Sequence, residues 1–220
     1  MFDALPFCGD RLAWTMWLPL PGQTWPGAAL SFAAMWLAMM AAMMLPVLLP
    51  ALWRHRLAAG PARQAWWMGQ AGLAYLSVWA LAGLAVYPLG AAWATAQLAR
   101  PALMQATPLL GALALLAAGA LQFSAWKARH LVGCRQAPRH GRDAGWRHGL
   151  RLGRHCAGSC AGPMAALLAF DMMDPAAMAA VTTAVMLERL APDSLRAARG
   201  LGIAAIGGGL YLLARAVAPG

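Results

Sequence analysis

An all-α fold, a polytopic transmembrane helix bundle with about six spans, is predicted by three observations. Hydrophobic types make up 61% of the 220 residues and charged types only 11%. A soluble domain averages about 45–50% apolar and about 25% charged residues. The mean hydropathy is +0.57, and the charges gather in a few segments between long apolar stretches. Such a chain cannot cover itself with polar surface, which excludes a soluble domain and a disordered chain. Its solvent is the lipid bilayer.

Each span needs about 20 mostly apolar residues. The first is expected over about 28–53, a stretch with no charge before its end, where Pro46 and Pro50 each remove a backbone donor and predict a bend. The second is expected over about 65–90. The third runs over about 103–126, with Thr107-Pro108 tolerated in its first turns. From Lys127 to Arg154 the chain turns basic, with eight Lys/Arg and one acid, Asp143; this is expected to be a structured loop. Two shorter apolar stretches follow, about 156–173 and 176–190, joined by a tight turn at Asp174-Pro175. The last span, about 200–217, contains Gly200, Gly202, Gly207, Gly208 and Gly209, which permit close helix approach. Together these make one integral membrane domain over 1–220.

The balance of 17 Lys+Arg against 7 Asp+Glu gives +10. Basic patches can bind nucleic acid, but here the charge lies between apolar segments, and no nucleic-acid partner is expected. With six spans and the N-terminus outside, Arg54–Arg63, Lys127–Arg154 and Arg189–Arg199 face inward and hold 14 of the 17 Lys/Arg. That asymmetry fits the positive-inside rule and a bacterial inner membrane. Trp25, Trp53, Trp66, Trp67, Trp93 and Trp126 fall near predicted span ends, as an interfacial belt would place them. The first residues lack a basic region followed by an apolar run, so no cleaved signal peptide is expected and the first span does the targeting. Four cysteines do not resemble a secreted disulfide framework.

Soft donors are the chemistry the sequence offers. Met35, Met39 and Met43 recur at i, i+4, i+8 and share one helix face, while Met40 and Met44 form a neighbouring pair. Thioethers suit Cu(I) better than hard cations, although methionine also fills gaps between helices. Cys156 and Cys160 are four apart, so both thiols face one way and Met164 continues their stripe. His155 points elsewhere by about 100° of helix rotation. His130 and Cys134 are likewise four apart at the exit of the third span. If the two pairs meet, thiolates, imidazole and thioether would suit copper(I), and Cys₂His alone could be part of a zinc site. The competing reading is that these cysteines are small apolar packing residues.

The acids have structural readings. Asp174 is a candidate N-cap before a proline at N1, Glu188-Arg189 a local charge pair, and Asp171 lies near the outer turn. Cys8 has no assigned role. There is no phosphate-cradling loop, no HExxH and no GxSxG, so no enzyme is expected.

At these residues the chain resembles the DUF2182 family, described as predicted metal-binding integral membrane proteins. The likeness spans about 14–212. It is carried by WLPLPGQTWPG at Trp17–Gly27, MWLAMMAAMMLPVLLP at Met35–Pro50, the Lys127–Pro138 and Gly149–Cys160 stretches, and a segment closing at Glu188-Arg189. His130 stands where the family's first loop motif has a cysteine, and Ser159 where it has the first of two adjacent cysteines. The resemblance implies soft-metal binding through His130, Cys134, Cys156 and Cys160, with one soft position empty. Met35, Met39, Met43 and Met164 would then form a thioether relay. The expected function is binding, chaperoning or transfer of copper(I), with a metal-receiving protein as partner. The alternative is a structural or assembly subunit of a larger membrane complex, without a metal of its own.

Overall fold

The computed structural model describes residues 16–56, 61–134, 144–170 and 174–217, and among them all regular structure is helical. Eight helices follow in order: α1 (Trp25–Arg56), α2 (Pro61–Ala99), α3 (Pro101–Gln105), α4 (Thr107–Leu121), α5 (Ala125–Gly133), α6 (Ala144–Phe170), α7 (Pro175–Leu190) and α8 (Ser194–Val217). Cys8, Asp143 and Asp171 lie outside the described residues.

Local chemistry explains most helix starts. Prolines stand in the first turn of α3, α4 and α7, where the missing N–H costs nothing. Asp174 caps α7 as expected, its carboxylate accepting from Ala176 N at 3.0 Å and Ala177 N at 3.2 Å. Asp193 does the same for α8, accepting from Leu195 N and Arg196 N, both at 3.1 Å. Ahead of α1, Gly22 at φ +85° turns the chain back, with Gln23 N donating to Leu20 O at 2.8 Å. That turn lays Trp17 against Phe32, ring centroids 5.0 Å apart.

Among the described residues, three helices are long and apolar enough to cross a membrane: Trp25–Leu48, Ala65–Ala99 and Ser194–Val217. Large apolar side chains stay exposed on them, among them Leu30, Leu73, Leu81 and Ile203. This is the surface of a membrane-associated protein. The expected third span differs from the prediction. Ser124 caps a new helix, its hydroxyl accepting from Lys127 N at 3.1 Å, so α4 ends at Leu121 and α5 leaves it at 65°. If that bent pair is one crossing, the candidates number four. The fourth and fifth predicted spans coincide with the second half of α6 and with the 16-residue α7, neither of which is both long and apolar enough by the same measure.

The basic segment also differs from the loop expected of it. Its described parts are helical, and α6 begins at Ala144, well before Cys156. The reason is amphipathic spacing: Gly145, His148, Gly149, Leu152, Gly153 and Cys156 are buried, while Trp146, Arg147, Leu150 and Arg154 are exposed. That is a 3.6-residue pattern interrupted by arginines, which keep the segment's hydropathy low.

The most extensive helix contacts are α2 with α6 and α4 with α8. Small residues bring the backbones together in both. Gly149 of α6 rests on Ala71 of α2, with no room for a Cβ. In the second pair, a Cβ on Gly119 would lie 2.7 Å from Ile206 Cγ1 and 3.0 Å from Gly202 O. α1 joins the bundle through Trp36, whose indole N–H donates to Trp79 O of α2 at 2.8 Å.

Gly119→Ala is therefore expected to destabilise the protein by about 1–3 kcal/mol through overpacking. Gly207→Ala, which meets nothing within 4 Å, is expected to leave stability unchanged or raise it by up to about 1 kcal/mol. Thermal unfolding in detergent compares the two, and equal losses would exclude close packing at Gly119.

Candidate metal centre

α6 carries the centre. One full turn separates Cys156 from Cys160, and both side chains enter the core with no exposed surface. Their sulfurs stand 4.0 Å apart. From α1, Met44 Sδ comes within 4.0 Å of Cys156 Sγ. From α2, Tyr75 donates its hydroxyl hydrogen to Cys156 Sγ at 3.0 Å. Three helices thus place three sulfurs and one phenol in a closed apolar interior.

Metal–sulfur bonds of about 2.3 Å opening at 120° hold their sulfurs about 4.0 Å apart. Both known edges of the cluster match that span. Among the described residues, no three His, Cys, Asp or Glu side chains converge to hold a metal ion by themselves. The third sulfur beside the two thiols is the thioether of Met44.

Cys134, at the C-terminal end of α5, is buried and belongs to the same core. It reaches the cluster through the Ser159 hydroxyl and the Arg189 guanidinium, which both face it. Burial pushes its thiol above the ordinary range, and Arg189 opposes that rise. Ser159, where a further soft ligand was missing, accepts from Arg189 Nη2 at 2.8 Å and lies 3.9 Å from Cys160 Sγ. The guanidinium acts on all three thiols. A thiolate formed at any of them would have this charge to offset it.

His130 forms no group of three metal-holding side chains with the cysteines among the described residues. Its ring meets His155, with the two Nδ1 atoms 3.3 Å apart. Of the expected relay, Met39, Met43 and Met164 are buried in the core cluster and Met35 packs half-buried against it. The adjacent stripe is the more deeply placed: Met40 and Met44 have no exposed surface.

Beside the thiols lies a polar hub that the sequence did not reveal. Glu188, read as the partner of Arg189, pairs with Lys127 instead, Nζ to Oε2 at 2.6 Å. Lys127 Nζ also donates to Ser159 O at 2.6 Å, and Gln122 Nε2 donates to Glu188 Oε1 at 2.9 Å. Lys127 and Glu188 are 4% and 1% exposed, so water does not share the pair. Adjacent helix residues point about 100° apart, which sends Glu188 to one side of α7 and Arg189 to the other.

Removing one partner of a buried pair costs about 3–5 kcal/mol. Lys127→Met is expected to lower stability by that amount, and Lys127→Met combined with Glu188→Gln to recover part of it. Unfolding of both variants in detergent checks this; a single variant as stable as the parent would show the pair to be dispensable.

A family model described as a copper chaperone, PpoB2, matches residues 33–212. The matched region includes Met44, Tyr75, Cys134, Cys156, Cys160 and Arg189. It carries a copper name where the sequence resemblance, under DUF2182, left the metal open. No curated protein and no solved structure matches the chain. With most of its length matched, the chain belongs to the PpoB2 copper chaperone family.

Proposed function

We propose that this protein is a membrane-embedded, non-catalytic carrier that binds one copper(I) ion on Cys156, Cys160 and Met44 and passes it to a receiving protein. The observation that carries this reading is the three-sulfur cluster itself, with its 4.0 Å edges. Two thiolates and a thioether are a soft set that favours Cu(I). Structural zinc takes four ligands, usually with nitrogen or further thiolates. Charge supports the same choice. Two thiolates and a monovalent ion carry −1, which the single charge of Arg189 cancels, and a buried site must be close to neutral. Tyr75 O–H stabilises the Cys156 thiolate by a further hydrogen bond.

Cys134 is the exchange thiol in this scheme, set between the cluster and the end of α5. Met39, Met43 and Met164 offer weaker thioethers along which the ion moves on, with Met35 at the half-buried end. The basic segments support reading this exchange side as the cytoplasmic face of a bacterial inner membrane.

Purified protein loaded with copper(I) under anaerobic conditions is expected to show copper–sulfur scattering by X-ray absorption. Cys156→Ser with Cys160→Ser is expected to remove that scattering. Met44→Leu weakens the sulfur site more than about tenfold, or about 1.4 kcal/mol, in competition with a chromogenic Cu(I) chelator. Met35→Leu leaves equilibrium affinity unchanged. Sulfur-bound copper that persists in the double cysteine variant would overturn the assignment.

A further inference from the structure

α5 and α6 bring two imidazoles together where they cross. His130 Nδ1 and His155 Nδ1 lie 3.3 Å apart, with ring centroids at 5.3 Å. Without an ion, one Nδ1–H can donate to the other Nδ1 across this distance, the donor depending on the tautomer. Two nitrogens bound to one tetrahedral ion, each at about 2.0–2.1 Å, stand about 3.3–3.4 Å apart. The same separation therefore also serves two nitrogens that share one ion whose remaining positions are filled from outside.

The seat is reciprocal. His130 of α5 lies over Gly158 of α6, and His155 of α6 lies over Gly133 of α5; a Cβ at either glycine would strike the ring above it. Each helix omits a side chain where the other's imidazole lands. Trp126 closes one side, its ring 4.3 Å from His130 and its Nε1–H donating to Gly158 O at 3.3 Å. Both imidazoles are half-buried, so they are within reach of an incoming carrier in a way that the sealed thiols are not.

The surrounding charge disfavours every cation here, and a divalent one most. Arg129 and Arg154 act on His130, while Arg154, Arg151 and Arg189 act on His155. A positive field penalises a divalent cation twice as much as a monovalent one.

We propose that His130 and His155 form a second, outer site that holds a copper(I) ion through their Nδ1 atoms. The identity of the ion rests on the copper reading above; the donors are independent of it. Two imidazoles leave coordination positions open, so a donor or acceptor can bind the ion before the imidazoles release it. Transfer is then ligand exchange with no change of oxidation state.

The full chain in detergent, loaded with Cu(I) as its acetonitrile complex, is expected to hold two ions, one with sulfur and one with nitrogen neighbours by X-ray absorption. Cys156→Ser with Cys160→Ser is expected to keep one ion with nitrogen neighbours only. His155→Phe is expected to keep one ion with sulfur neighbours only, and its unchanged sulfur site shows that it remains folded. Nitrogen-bound copper that survives His155→Phe, or its absence from the parent, overturns the outer site while leaving the sulfur site standing. Loss of the sulfur signal alone overturns the inner site and not the outer one.

Discussion

Three helices meet at one ammonium group. Lys127 of α5 is held by the Glu188 carboxylate of α7 and the Ser159 carbonyl of α6, both at 2.6 Å, away from water. Neither charge could be buried alone, because an ion in an apolar interior costs several kcal/mol unless it is paired and hydrogen-bonded. Gln122 satisfies the second carboxylate oxygen and so completes the hub. Together these contacts tie α5, α6 and α7 and the turn after α4 to one another. Since Ser159 lies between Cys156 and Cys160, fixing its carbonyl also fixes the rotation of α6 that turns both thiols inward. Since Arg189 follows Glu188, fixing the carboxylate also directs the guanidinium toward Ser159 and the sulfurs.

Some of this was legible in the residues. The i, i+4 spacing of Cys156 and Cys160 placed both thiols on one face, and the dense methionines of the first apolar stretch announced a sulfur-rich helix. Asp174-Pro175 read correctly as a cap, and two of the glycines in the last stretch, Gly202 and Gly209, do lie buried. These are local signals, set by one helix turn or one capping interaction.

What escaped needed partners distant in sequence. Met35-Met39-Met43 and Met40-Met44 are equally good stripes, and only the rotation of α1 against α2 and α6 decides that Met44 reaches Cys156. Tyr75 and Arg189 belong to no motif. The partner of Glu188 is 61 residues away, whereas Arg189 is adjacent in sequence and faces elsewhere. The first half of α6 was hidden for another reason: its arginines lower the hydropathy that a spanning segment needs, although its buried positions keep a helical period. His130 was grouped with the cysteines by spacing, yet its ring lands on the opposing helix beside His155.

The complete enclosure of Cys156 and Cys160 bears on time as well as affinity. A sulfur without solvent contact cannot be approached by a small thiol or by peroxide unless the helices separate. Thiol oxidation needs an accessible thiolate, so the sealed pair is shielded from the chemistry that inactivates surface cysteines. On the reading proposed above, an ion seated there would likewise be out of reach of small competitors in water, because neither thiol has exposed surface.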